Sequence, residues 1–211
     1  GGSSTTSTTT DDDSTTDTTP PTVSSSSPSD GDTSVSITSN VSVTFSETMD
    51  TSSVITNTLD TSCFGTFQVS SDSFSSCVQM SSSPTSSNSD KTFTVTSEDN
   101  LSSSTVYRIR ITTGTKDSSG NSLTSQWNTS SGFQTSLILT EVTVVTTPTN
   151  DTTPNYTFSS SDAGTITYGG SCSSSTTTAT TDNNTITLVS LSEDTYSDCT
   201  ITVTDNSSNS V

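Results

Sequence analysis

Leu101-Ser-Ser-Ser-Thr-Val-Tyr-Arg-Ile-Arg-Ile-Thr-Thr113 decides the fold. From Thr105 onward, apolar Tyr107, Ile109 and Ile111 alternate with Arg108 and Arg110, the two-residue period of a strand with one buried face. The arginines share the opposite face, where they pair with acids across the sheet, pair with a partner, or stay solvated. Leu101 precedes Tyr107 by six residues at the strand entry. That is the arrangement of a tyrosine corner in Greek-key sandwiches, where the phenol binds nearby backbone.

Working outward, the same alternation recurs in Val41-Ser-Val-Thr-Phe45, Thr66–Val69, Cys77–Met80, Thr92–Thr96 and Gly132–Thr135. A short strand is expected around Val23, followed by a turn at Asp30-Gly31. A helical turn is expected over Thr51–Leu59, capped by the Met49-Asp50 step. Beyond Ser136 come Leu137–Thr146, Tyr156–Ser159, Thr165–Tyr168, Thr185–Leu191 and Cys199–Thr204, again β by alternation. Leu191 and Tyr196 repeat the corner pattern ahead of the last of these, and Asp205-Asn-Ser-Ser-Asn209 repeats the turn signal of Lys116-Asp-Ser-Ser-Gly-Asn121. Two tandem modules explain this better than one domain. The expectation is all-β: two immunoglobulin-like Greek-key β-sandwiches, 17–136 and 137–211, behind an extended tail, 1–16.

Composition bounds what such a protein can do. The 211 residues are 24% hydrophobic and about half Ser or Thr, so each core is thin. With 22 acids against 4 Lys plus Arg, the formal charge of −18 repels phosphate backbones and anionic lipid, which argues against nucleic acid. Histidine is absent, removing the usual general base, the Ser-His-Asp and Cys-His nucleophile pairs and the commonest zinc ligand. The acids lie in Ser/Thr/Asn contexts, away from aromatic residues that shape a sugar cleft, so a carboxylate glycosidase has little support. A non-enzymatic protein without cofactor is expected. No apolar run approaches the ~18 residues of a membrane span, and the start at Gly1 shows no leader; any leader is expected to have been removed.

Cys63, Cys77, Cys172 and Cys199 form no CxxC. Of three pairings, Cys63 with Cys77 and Cys172 with Cys199 keeps each bridge within one module, contributing about 3 to 3.6 kcal/mol each on chain-entropy grounds. Disulfides imply an oxidising compartment, hence a secreted or surface-exposed protein.

The run Asp17-Thr-Thr-Pro-Pro-Thr-Val23, then Ser29-Asp-Gly31, Val41-Ser-Val-Thr-Phe-Ser-Glu-Thr-Met-Asp50, and Tyr107 with Lys116-Asp-Ser-Ser-Gly-Asn121 resembles the bacterial Ig-like domain of the S-layer-protein type. Residues 137–211 resemble a second bacterial Ig-like repeat. The carrying segments are Asn150-Asp-Thr-Thr-Pro-Asn-Tyr-Thr-Phe158, Gly164-Thr-Ile-Thr-Tyr168 and Tyr196-Ser-Asp-Cys-Thr-Ile-Thr-Val-Thr-Asp205. The resemblance implies extracellular stalks, adhesins and surface layers at the bacterial cell surface, with no shared catalytic residues.

A sandwich of this type needs about 100 residues and seven strands, so the second module is expected to lack its last strand. An open edge templates pairing with an extended segment. The Thr-rich tail is strand-compatible, with Thr5, Thr6, Thr8, Thr9 and Thr10 as the candidate donor residues. Tail at one end and groove at the other make a heterologous contact between copies, which yields a filament when it does not close. The competing reading leaves the tail a linker, with the chain a stalk segment of an adhesin or a carbohydrate-binding accessory module contacting surface glycans through the loop around Trp127. Asp11, Asp13 and Asp17, with Asp30, Asp32 and Asp151, offer oxygen ligands for calcium or are solvated turn residues. Asn-X-Ser/Thr triplets and dense Ser/Thr are compatible with glycosylation.

Overall fold

The chain is described here by a computed structural model covering residues 16–211. The candidate donor threonines Thr5, Thr6, Thr8, Thr9 and Thr10, and Asp11 and Asp13, lie outside the described residues. No helix occurs among the described residues.

The first half builds two antiparallel sheets. One has the order β1 (Val23–Ser27), β2 (Val41–Phe45), β5 (Thr92–Val95), β4 (Thr85–Ser87). The other joins β3 (Phe67–Ser70), β6 (Val106–Ile111) and β7 (Trp127–Asn128), with β8 (Phe133–Gln134) also on β6. Alternation places Val41, Val43 and Phe45 of β2 against Tyr107, Ile109 and Ile111 of β6 in one core, where sixteen apolar residues are buried. Each large one contributes roughly 1.5–3 kcal/mol. Phe45 and Phe93 meet edge to face at 5.9 Å.

The other side of the four-stranded sheet explains the Ser/Thr content. Register aligns Ser25, Thr44, Thr92 and Ser87 in one row and Ser27, Ser42, Thr94 and Thr85 in the next. Thr44 and Thr92 hydroxyls bond at 3.0 Å. These rows keep a β-compatible face wet without charge.

The second half has two three-stranded sheets. β13 (Asp182–Thr187), β10 (Asn155–Ser160) and β9 (Leu139–Thr143) form one; β12 (Thr178–Ala179), β11 (Gly164–Gly169) and β14 (Thr200–Asp205) form the other. Their core is smaller, with six buried apolar residues: Leu137, Phe158, Ile166, Ala179, Ile186 and Val203. Leu139, Tyr156, Tyr168, Leu188 and Ile201 pack against it only partly covered. Disulfides join Cys63 to Cys77 and Cys172 to Cys199, with Cα–Cα distances of 5.0 and 5.2 Å.

Two local expectations need correction. Cys77–Met80 is not a strand; Met80 makes a single bridge to Ser97, because the disulfide and the Asn57 side chain, bonded to Val78 O, hold this segment instead. Thr51–Leu59 holds a turn but no helix, since Thr66 and Phe67 N–H both donate to Ile55 O and draw the chain across to β3. β4, by contrast, forms without one apolar side chain, on backbone bonds to β5.

Candidate functional site

Residues from both sheets of the second half surround a cavity of about 220 Å³ beside the Cys172–Cys199 disulfide. Tyr156 comes from β10, Tyr168 from β11, Leu188 from beyond β13, and Ile201 from β14. Glu141 of β9 and Thr200 of β14 also line it, so two edge strands border the opening. Alternation turns these side chains inward, yet the space between the sheets is left partly unfilled at this end. Tyr156 stacks on Phe158 with centroids 6.2 Å apart, and its burial, with Glu141 nearby, pushes its phenol pKa up. The Tyr168 hydroxyl donates to Thr176 O at 2.6 Å.

The edge of β14 is half used. After the Asp205 turn the chain folds back: Val203 N–H donates to Val211 O at 2.9 Å, Val211 N–H to Val203 O at 3.1 Å, and Asp205 N–H to Asn209 O at 2.9 Å. Antiparallel alternation puts the Ile201 N–H on the same outer edge. No backbone acceptor meets it there among the described residues. β9 likewise pairs only with β10, and Val142 and Val144 beside that edge are 47% and 59% exposed. An edge strand such as β9 beside an apolar cleft is the arrangement that accepts an added strand.

The remaining residues singled out by sequence fall in separate places. Tyr107 is buried on β6 and its oxygen accepts the Ser102 N–H at 2.9 Å, the corner contact. Tyr196 lies outside any strand, half-exposed, and donates to Ser192 O at 3.0 Å. The two turns match more closely. Asp117 accepts Ser119 N–H, Asn121 N–H and the Asn121 amide; Asp205 accepts Ser207 N–H, Asn209 N–H and the Asn209 amide. Trp127 is on β7 opposite Ile111 and packs against the larger core. Asp30 accepts four hydrogen bonds from Ser130, Ser131 and Gly132.

Of the calcium candidates, Asp17 does meet other acids: its carboxylate, that of Glu47 and that of buried Asp117 lie within 4.8 Å of one another. Burial, then the adjacent Asp17, pushes the Glu47 pKa up, whereas the Thr19 backbone N–H pulls Asp17 down. The donor set is of the oxygen type that suits calcium, although Asp117 already accepts three hydrogen bonds within its turn. Sequence reading missed Glu47 and Asp117 because they are distant along the chain; the β1–β2 pairing, the Met49–Asp117 bridge and the Asn121 amide's hydrogen bond to Asp17 O bring them together.

A family model described as bacterial Ig-like domain matches residues 17–135. Among solved structures, the N-terminal part of the bacterial S-layer protein SbsC is similar at 17% identity, covering 92% of this chain and 32% of that one, with a TM-score of 0.40. Domains 1–6 of surface layer protein SbsC are similar at 14% identity, covering 92% and 34%, with a TM-score of 0.38. The chain thus spans about a third of these structures' length. No curated protein matches.

Proposed function

The chain belongs to the bacterial Ig-like domain family through residues 17–135, and from that premise we propose that it is a non-enzymatic structural subunit of a bacterial surface assembly, joined head to tail. Residues 137–211 act in this reading as a second Ig-like unit, and the segment Thr5–Thr10 of one copy adds a strand to that unit of the next. The observation carrying it is the cleft lined by Tyr156, Tyr168, Leu188 and Ile201, bordered by the edge strands β9 and β14. Thr5–Thr10 carries no charge, is β-branched at five of its six positions, and so suits a cleft that has Glu141 as its acid. Main-chain bonds supply affinity and the threonine methyls cover the cleft. Tail and cleft are different surfaces, so the contact is heterologous and propagates into a filament when the rotation does not close. The disulfides fit the oxidising extracellular compartment such an assembly occupies.

Electron microscopy of the full chain beside a variant lacking residues 1–10 tests this. Filaments in the first and dispersed particles in the second are expected. Dispersed particles in both, or filaments in both, would remove the tail from the mechanism.

A further inference from the structure

We infer that Arg108 and Arg110 form a carboxylate-binding site on the outward face of β6, filled by the acidic run Asp11-Asp12-Asp13 of this protein. These are two of only four cations in a chain with 22 acids. Standing two residues apart on a strand, they are spaced by roughly 6.5–7 Å. Their neighbours across the sheet are neutral: Ser70 opposite Arg108, and Gln68 and Asn128 opposite Arg110. Among the described residues neither guanidinium is paired with a carboxylate; Arg108 Nε donates to Ser130 O at 3.3 Å, and Arg110 Nε to Gln68 Oε1 at 2.6 Å.

Arg110 is held in place by structure that a merely solvated arginine does not need. Gln68 is buried, and its amide donates to Cys63 O at 2.9 Å and Gly65 O at 2.8 Å, which fixes the oxygen that receives Arg110 Nε. The guanidinium carbon lies 3.8 Å from the centroid of the Phe74 ring. Phe74 has φ of 65° and follows Ser73 at 62°, inside the loop closed by the Cys63–Cys77 disulfide. A left-handed conformation is unfavourable for a non-glycine residue, and a bulky side chain there is an outlier. The loop thus bears strain while its ring backs a cation, a pattern of preorganised sites. With Nε engaged and one face stacked, the Nη edge remains, the fork that pairs with a carboxylate.

Spacing and charge select the occupant. Asp11-Asp12-Asp13 is the one run of three consecutive acids in the sequence. When extended, Asp11 and Asp13 present carboxylates on one side at the same two-residue spacing as the arginines. A foreign polyanion is repelled by the net charge of −18, whereas a tethered segment reaches millimolar effective concentration. The carboxylates are those of the same chain, whose tether supplies that effective concentration.

With two arginines, ¹⁵N-arginine labelling of the full chain gives two Nε–Hε signals. The test compares the wild type with D11N/D12N/D13N at low salt and at two protein concentrations. Both signals are expected to shift in the variant, and the difference to vanish near 1 M salt, where the Debye length is about 3 Å. A shift that persists on dilution assigns the carboxylates to the same chain; one lost on dilution assigns them to a neighbouring copy and contradicts the tethered site. Superimposable signals at both concentrations overturn the inference. So does a shift produced by an added oligogalacturonate when the variant's signals match the wild type's. Residues 11–13 remain in the variant lacking 1–10, so failure of the donor-strand reading and failure of this one are separate results.

Discussion

Asp72 shows how single residues hold a chain so short of apolar side chains. Ser76 donates to its carboxylate through both hydroxyl and backbone, and Ser70 through its hydroxyl, which lowers its pKa to about 2. A depressed carboxylate stabilises the fold above its ordinary value near 3.8, and that contribution is lost as pH falls toward 2. Melting between pH 5 and pH 2 should therefore show a drop that is smaller in D72N, by the share of the loop whose Phe74 backs Arg110. Glu47 has the opposite sign. Its raised pKa means that folding favours the protonated form, so its contribution is present below about pH 4.5 and lost as pH rises. E47Q is expected to stabilise the protein at neutral pH by on the order of 0.5 kcal/mol, since solvent screening tempers the penalty on a half-buried carboxylate. Were calcium bound by Asp17, Glu47 and Asp117, the same substitution would destabilise in added calcium, and thermal melts with and without the ion distinguish the two. Tyr107→Phe should cost about 1 kcal/mol by leaving the Ser102 N–H without its acceptor.

At the scale of elements, two-residue alternation made β2, β5 and β6 legible, because each has one face that must be buried. Short edge strands escaped it. Thr85–Ser87 offers no apolar side chain to read, and its existence rests on hydrogen bonds to β5 alone. The repeated Asp-x-x-x-Asn turn was visible as sequence, but its backbone was not: Gly120 has φ of 94° and the corresponding Ser208 has 67°. Nothing lies within 4 Å of a Cβ placed at Gly120, so substitution there reads the backbone alone. Gly120→Ala is expected to cost about 1 kcal/mol, and Ser208→Gly to gain a similar amount, both measurable by denaturant unfolding. Equal and same-signed effects would contradict the shared turn geometry. The acidic trio and the Gln68–Arg110–Phe74 stack were invisible in sequence for a different reason: their members come from separate elements, and no local spacing connects them.

For the whole molecule, sixteen buried apolar residues in the first core against six in the second set the division of labour in this account. The first unit has the fuller core, whereas the second keeps a cleft between its sheets. A net charge of −18 suppresses indiscriminate association, and in the proposed assembly edge pairing provides the specific contact. The Ile201 N–H reads that contact most directly, since it points to the edge where the added strand would lie. Hydrogen exchange at the Ile201 amide, measured in assembled full-length protein and in the variant lacking residues 1–10, should show protection in the first and fast exchange in the second. An Ile201 amide that exchanges as fast within filaments as in the dispersed variant would contradict donor-strand assembly.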